Sequence, residues 1–568
     1  MPDVTEAPLP PFDHEPEPRD SGVPDGGVAG ASPAAGGRRR RFATRGHAPK
    51  VVILAAALVA VASLAPVAYL VLREGFSFGV LMQALDSPST PELIGNTALL
   101  VACIAVTSFV LGVGLAVLVV RTNLPAPRLW IVLFTMPLAV PGFVAAYTWV
   151  AASYRYVPSS TTIFGLGGST LVLSLGLFPY VFLPTVAALR GVDAAQEEVS
   201  RALGHSRLWT FFTVTFPQLR IAIAAGMLIV VLHVLAEFGA LQLLNYSTLT
   251  TAIMQRVLVL GAPESGRALG MVLVGGAALL LLLERLARGR QRPSRVGRGV
   301  VRSAARWPLG LGGRLGWLAA CVAVSLLALG VPLYIAVVGL WDSFVGAPAT
   351  ALSGAPGIDW GALGSAVGGT LQLAVAAGLV ATVVALPISW LYARHPGPFA
   401  TIAERSVWLA HALPGIVLAL SLVYIGVRWF RPIYQTPLML VAAYVILFLP
   451  LAVANQHVGL QAAGKRLDEA AHSLGFGRLR VFARVTLPIA LPGVAAGALF
   501  VLLDSAKELT TTLLLIPTGM TTLSTGLWST TNGEVLDFTA AAPYGIGLIL
   551  VGVLPAYLLA RRAVQLAT

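Results

Sequence analysis

The chain has 568 residues, of which 57% are hydrophobic and only 11% charged, and its mean hydropathy is +0.81. That is more apolar surface than a soluble core of ordinary domain size can hide, so a lipid bilayer must be the solvent for most of it. A formal charge of +13 would suit a nucleic-acid binder only if the bases formed a face on a folded soluble domain, and here they fall between apolar runs, which excludes that class.

Residues 1–50 are rich in Pro, Gly, Asp and Glu and then turn basic at Arg38-Arg39-Arg40-Arg41, a composition that cannot bury a core and predicts a disordered cytoplasmic tail. The apolar run at 51–72 is long enough to span and has no convincing small-residue cleavage site, so it reads as a retained helix rather than a signal peptide. Further runs of spanning length follow at 93–120, 129–151, 166–189, 220–244 and 267–284, and then at 315–341, 362–393, 405–427, 436–459, 490–515 and 541–560. The expectation is an all-α integral membrane protein of about 12 transmembrane helices, six in residues 51–284 and six in 315–568. Residues 285–314, with nine arginines and no acidic residue, form a basic cytoplasmic linker beside anionic headgroups. Cys103 and Cys321 both lie inside apolar runs, so no disulfide framework is available.

Loop charge sets the orientation. With both termini on the cytoplasmic side, the outside loops hold only Arg73, Arg155, Arg256, Arg267, Arg428 and Arg431; apart from Lys507, which falls in a span, every other basic residue lies inside.

The halves repeat. Glu198-Val-Ser-Arg-Ala-Leu-Gly204 and Glu469-Ala-Ala-His-Ser-Leu-Gly475 are each followed thirteen residues after the glycine by a proline, Pro217 and Pro488, at one offset of 271 residues. The same offset pairs Pro179 with Pro450, Gly226 with Gly497, Glu237 with Glu508, and Thr250-Thr251 with Thr521-Thr522; earlier in each half an offset of 273 pairs Thr97 with Thr370 and Pro141-Gly142 with Pro414-Gly415. An even number of helices per half gives both repeats one orientation, related by an axis along the membrane normal with a pathway between them. The two Pro-Gly pairs interrupt spans at equivalent depth, and either a kink beside the path or a packing kink accounts for them.

The glutamate frames resemble the cytoplasmic signature of permease subunits of ATP-binding cassette importers: Glu-Ala-Ala, three residues, Gly, and an Ile-x-Leu-Pro ending. The second copy, Glu469-Ala470-Ala471 to Gly475 and Val485-Thr486-Leu487-Pro488, matches closely; the first keeps Glu198, Gly204 and Pro217 but loses both alanines. A type I importer permease fold duplicated in one chain is what the resemblance implies, docked to two ATPase subunits and served by an extracytoplasmic substrate-binding protein, in the bacterial inner membrane. Residues 245–265 and 516–540 are the expected surface for that binding protein. The aromatic and aliphatic residues Leu208, Trp209, Phe211 and Phe212, with Leu479, Val481 and Phe482, offer anchors for an ATPase groove or, on the alternative reading, for lipid. The chain has three lysines, none in a Gly-Lys-Ser/Thr phosphate loop, so the motor is expected in a separate polypeptide and the permease is not itself an enzyme.

Ala236-Glu237-Phe238-Gly239 and Lys507-Glu508-Leu509 are similar to fused permeases of the ferric iron group, which share this architecture with thiamine permeases. Where iron-type chains have Lys-Glu-Leu-Pro-Ala-Thr, this one has Thr510 and Thr511 in place of Pro and Ala. Ferric iron is therefore the expected cargo, with thiamine, polyamine, phosphonate or sulfate as alternatives. An ion-coupled secondary transporter is the rival of another class. Glu237, Asp504, Lys507 and Glu508 fall inside predicted fifth helices, where ionisable groups rarely face lipid, and are candidates for the translocation path; an internal Asp504–Lys507 pair is the competing structural role. The eight histidines form no metal-site spacing, and neither a resident metal nor a cofactor is expected.

Overall fold

A computed structural model describes residues 49–74, 79, 82, 85–157, 162–192, 194–288, 306–345, 358–411, 413–532 and 537–565. The tail expected at 1–50 lies outside the described residues except for its last two, as does most of the basic linker, 289–305.

The chain begins with α1 (Lys50–Glu74) and α2 (Thr90–Arg121), followed by a bent pair, α3 (Pro127–Ala139) and α4 (Gly142–Tyr156). Then come α5 (Gly165–Arg190), a short amphipathic α6 (Ala194–Ala202), the long α7 (Arg207–Ala236), two small helices α8 (Gly239–Leu243) and α9 (Leu249–Val259), and α10 (Pro263–Arg288). The second half repeats this order: α11 (Leu311–Val345), α12 (Trp360–Arg394), the bent pair α13 (Pro398–His411) and α14 (Gly415–Trp429), α15 (Pro437–Ala462), α16 (Lys465–Ser473), α17 (Leu479–Lys507), α18 (Thr510–Leu515), α19 (Leu523–Thr531) and α20 (Phe538–Gln565). Among the described residues nine helices are long and apolar enough to cross a bilayer, and the two bent pairs bring the number to eleven. The one predicted span left over, 267–284, falls within α10. Helix satisfies every backbone donor and acceptor internally, the condition lipid imposes.

Four of the predicted spans are not straight helices. The run at 129–151 bends by 92° and that at 405–427 by 101°, each just before Pro-Gly. Pro141 and Pro414 stand at the N-cap with ψ of 145° and 136°, and the residue before the first, Val140, is extended, as the ring of a following proline demands. The runs at 220–244 and 490–515 stop early, α7 at Ala236 and α17 at Lys507. Glu237 and Glu508 follow in extended conformation, ψ 128° and 125°, so the two glutamates sit at helix breaks rather than inside fifth helices.

Beyond the breaks the repeat changes register. α9 and α19 open with capping boxes at Thr248/Thr251 and Thr522/Thr525, and their first amides, Leu249 and Leu523, donate to Thr97 Oγ1 and Thr370 Oγ1 at 3.1 and 2.8 Å. The structural counterpart of Thr251 is therefore Thr525, not Thr522. The second half has inserted three residues between the break and the cap.

The halves interlock. α1 packs on α12, α13 and α14 of the second half, with Ala56 in that half's core, while α11 and α20 pack on the bent pair of the first half. Tyr147 Oη donates to Phe538 O at 2.7 Å, and Arg155 pairs with Asp342, both across this exchange. The described residues from α1 to α20 accordingly form one compact unit, although the sequence divides in two.

Candidate functional site

Both glutamate frames fold into a short helix, a tight turn and the start of a long helix. Gly204 and Gly475 make the turn with φ of +87° and +84°, in the left-handed region that costs a side-chain-bearing residue about 1–2 kcal/mol. Ser206 Oγ accepts from Trp209 N at 3.2 Å and starts α7. Pro217 and Pro488 lie two residues beyond wide helical turns at Phe211–Thr215 and Phe482–Thr486. Proline supplies no amide, and its ring crowds the preceding turn, so the local widening lets the helix continue through it.

Glu198 and Glu469 are exposed, as are Val199 and Ala470, while Ala471 and its counterpart Ser200 are buried. The residues that fasten the short helices are the acids one position earlier. Glu197 accepts from both Nη atoms of Arg121, at 2.7 and 3.2 Å, and from Thr215 Oγ1 at 2.6 Å. In the second half Asp468 pairs with Arg394 Nε at 2.8 Å and accepts from Thr486 Oγ1 at 2.7 Å. The arginine side chains are 4% and 7% exposed, the acids 16% and 17%. Each triad ties the end of the second helix of its half (α2, α12) to the short helix (α6, α16) and to the root of the fifth (α7, α17). From sequence alone Arg121 and Arg394 register only as loop charges. The signal that marks them is that arginine, acid and threonine recur together, at the same offsets of 273 and 271 residues as the rest of the repeat.

The outer face of each loop is apolar and open. Leu203, Leu208, Trp209 and Phe212 are exposed in the first, Leu467, Leu474 and Leu479 in the second; Phe211 and Val481 of the expected anchors are buried instead. A cavity of about 40 Å³ is lined by Glu197, Arg201, Thr210, Phe211 and Trp307 at the first loop.

The intramembrane charges separate into two kinds. Glu237 Oε1 accepts from Ala240 N at 3.0 Å, and Glu508 accepts from Thr511 N and Thr512 N at 2.9 and 3.0 Å, so each carboxylate caps the small helix after its break. Each also lies against the glycine of its bent pair: a Cβ on Gly142 would stand 3.0 Å from Glu237 Oε2, and one on Gly415 3.2 Å from Glu508 Oε1. Asp504 and Lys507 instead pair with each other at 3.0 Å, one turn apart on α17. Among the described residues no three His, Cys, Asp or Glu side chains are placed to hold a metal ion.

A family model described as "Binding-protein-dependent transport system inner membrane component" matches residues 108–284 and again 363–565. The Fe(3+)-transport system permease protein FbpB 2 of Haemophilus influenzae is 33% identical over 501 residues, 88% of this chain and 95% of that protein. The ferric transport system permease protein FbpB of Actinobacillus pleuropneumoniae is 23% identical over 84% of this chain and 72% of its own length. The molybdenum transport system permease protein ModB of Escherichia coli is 30% identical over a shorter stretch, 21% of this chain and 57% of that protein.

Proposed function

Given that this chain belongs to the binding-protein-dependent transport system inner membrane components, we propose that its cargo is ferric iron. It is the multi-pass permease of an ATP-binding cassette importer and works with an ATPase and a substrate-binding protein. The cargo reading is carried by the likeness to the Haemophilus Fe(3+)-transport permease along nearly that protein's whole length.

Two ATPase subunits dock, one per coupling loop, against the exposed Leu208, Trp209 and Phe212 and against Leu474 and Leu479. Glu198 and Glu469, also exposed, supply hydrogen-bonding groups. The loop charges support a cytoplasmic position for both loops and both termini. When the ATPases close on ATP, the short helices are drawn together. Because the Arg–acid–Thr triads join those helices to the second and fifth helices, the halves move as rigid bodies and turn the path between them outward. The binding protein then docks opposite, where Leu258 and Val259 at the end of α9 and Leu260 just beyond it are exposed. ATP hydrolysis is the work of the separate subunit.

The test is uptake of radioactive ferric iron by cells carrying the complete transporter. Gly204→Asp with Gly475→Asp strains both left-handed turns and sets a new negative charge on each docking face, and should abolish ATP-dependent uptake while the chain still inserts; undiminished uptake sinks the docking assignment. Uptake that survives an ionophore while ATP is held up separates this importer from an ion-coupled carrier. Accumulation of thiamine, a polyamine or an oxyanion in place of iron would overturn the cargo.

A further inference from the structure

The end of α7 and its counterpart on α17 form an apolar closure with a polar layer beneath it. Phe238 and Leu509, which follow the two capping glutamates, are 2% and 5% exposed. The rings of Phe238 and Trp528 lie tilted at 43° to each other with centroids 5.1 Å apart. Leu509 lies so close to Gly239 that a Cβ there would stand 2.7 Å from its Cδ2. The first half therefore meets the second across this seal without room for water.

Five residues earlier in each repeat, inside the helices that end before the breaks, stand His233 on α7 and Asp504 on α17, which are counterparts at the repeat offset. α7 and α17 are not packed on one another here, and His233 is exposed whereas Phe238 is buried. Tyr180 of α5 places its ring 4.8 Å from that of His233 and its hydroxyl 3.4 Å from Nε2. His411, the last residue of α13 before the bend, turns its Nδ1 to the Leu447 carbonyl. Asp504 is within electrostatic range of Tyr180, His233 and His411, and Lys507 of His233. Tyr180, His233 and His411, on three helices from both halves, thus lie within electrostatic range of a carboxylate on a fourth. Unlike Glu237 and Glu508, it caps no helix, and its partner is the lysine one turn away.

Resting on the ferric reading, we propose that Tyr180, His233, His411, Asp504 and Lys507 form the first station a hard cation meets after passing the Phe238–Leu509 seal. Carboxylate and phenol oxygens suit such an ion, and ionisable groups are kept at this depth only where they face a path or one another. Lys507 occupies Asp504 while the path is empty and yields to the cargo. Since no three His, Cys, Asp or Glu side chains among the described residues enclose a metal, the station is weak, as conduction requires.

Two measurements decide it. In a chain with Cys103 and Cys321 replaced by serine, His233→Cys should react with a membrane-impermeant thiol reagent from one face of the membrane. Protection from both faces removes the passage, whatever the cargo. In the complete transporter, Asp504→Asn should cut ferric uptake about tenfold, the worth of one hydrogen-bonded charge, while the binding protein still stimulates ATP hydrolysis. His233→Ala, which leaves no buried partner behind, should reduce uptake less and guards against a folding defect. Wild-type iron uptake with both variants unimpaired overturns the station and leaves the cargo reading standing. A wild type that imports no iron overturns the cargo, and with it the station's assignment to a hard cation, while the thiol result still decides whether a passage is there.

Discussion

In the first coupling loop Ser200 and Thr210 are buried and share a hydrogen bond of 2.9 Å. At the equivalent places the second loop buries Ala471 and Val481, an apolar pair. Next to them, Glu197 takes both ends of the Arg121 fork, while the shorter Asp468 meets Arg394 through Nε and leaves Nη1 to the Leu460 carbonyl at 3.0 Å. The first loop also has a neighbour from outside its own half. Trp307 N donates to Arg121 O at 2.6 Å, its carbonyl accepts from Asn123 N at 3.3 Å, and its ring stands 5.9 Å from Phe211. The two loops therefore hold one geometry with different residues. The departure of the first copy from Glu-Ala-Ala is a matched exchange rather than a decayed motif, because the polar Ser200 arrives together with the hydroxyl that satisfies it.

The comparison breaks most visibly at the triads. Arg121→Met and Arg394→Met each leave a largely buried carboxylate without its cation, a loss on the order of 3–5 kcal/mol. Both should cost most of the ATP-driven uptake while the chain still inserts. Because the Arg121 fork is bidentate and the Arg394 contact is shared with a carbonyl, the first substitution should be the more damaging, read as transport per ATP hydrolysed. Equal defects would mean that the two anchors are equivalent despite their geometry, and no defect in either would remove the triads from the coupling path.

A smaller effect tests the matched exchange itself. Ser200→Ala alone strands the Thr210 hydroxyl in a buried site and should lower stability by about 1–2 kcal/mol. Adding Thr210→Val recreates the residues of the second loop and should recover most of that loss. Thermal unfolding of the detergent-extracted chain measures the cycle. Additive losses would show that the two positions do not act as a pair.

Much of this architecture can be read from residues. Long apolar runs and loop arginines are enough to place the helices, since lipid permits little else, and proline before glycine marks both right-angle bends. The breaks at Glu237 and Glu508 are harder to see. No proline stands there, and what ends the helix is a carboxylate accepting the amides of the next one, a contact three or four residues ahead that apolar periodicity does not encode. The exchange of α1 and α11 between halves is invisible for another reason: an apolar face says that it must be covered, not by which half. Glu197 and Asp468 stand one place before Glu198 and Glu469, which belong to the signature, and nothing local sets them apart, because a buried anchor is defined by residues far away in the chain. Thr250-Thr251 misleads similarly, since a three-residue insertion preserved a Thr-Thr pair at the old offset while the cap moved on.

The smallest expected effect belongs to Trp307, and it reports on asymmetry alone. This residue closes the basic linker and is half-buried against the first loop, where it lines the small cavity beside Glu197 and Phe211. Trp307→Ala keeps both backbone hydrogen bonds and removes only the ring, so the loss should be near 1 kcal/mol, the scale of one aromatic contact. Global unfolding is too coarse to see it. Local opening is the better readout: with both native cysteines replaced, a cysteine at Leu208 should react faster with a thiol reagent when Trp307 is alanine, while one at its counterpart Leu479 should not change. Acceleration at both positions would mean that the linker steadies the whole cytoplasmic face. Acceleration at neither would reduce Trp307 to a passive lid on the cavity. A change confined to Leu208 would show that the linker joining the halves tunes one loop and not the other, so that the two loops differ in stiffness despite their shared geometry.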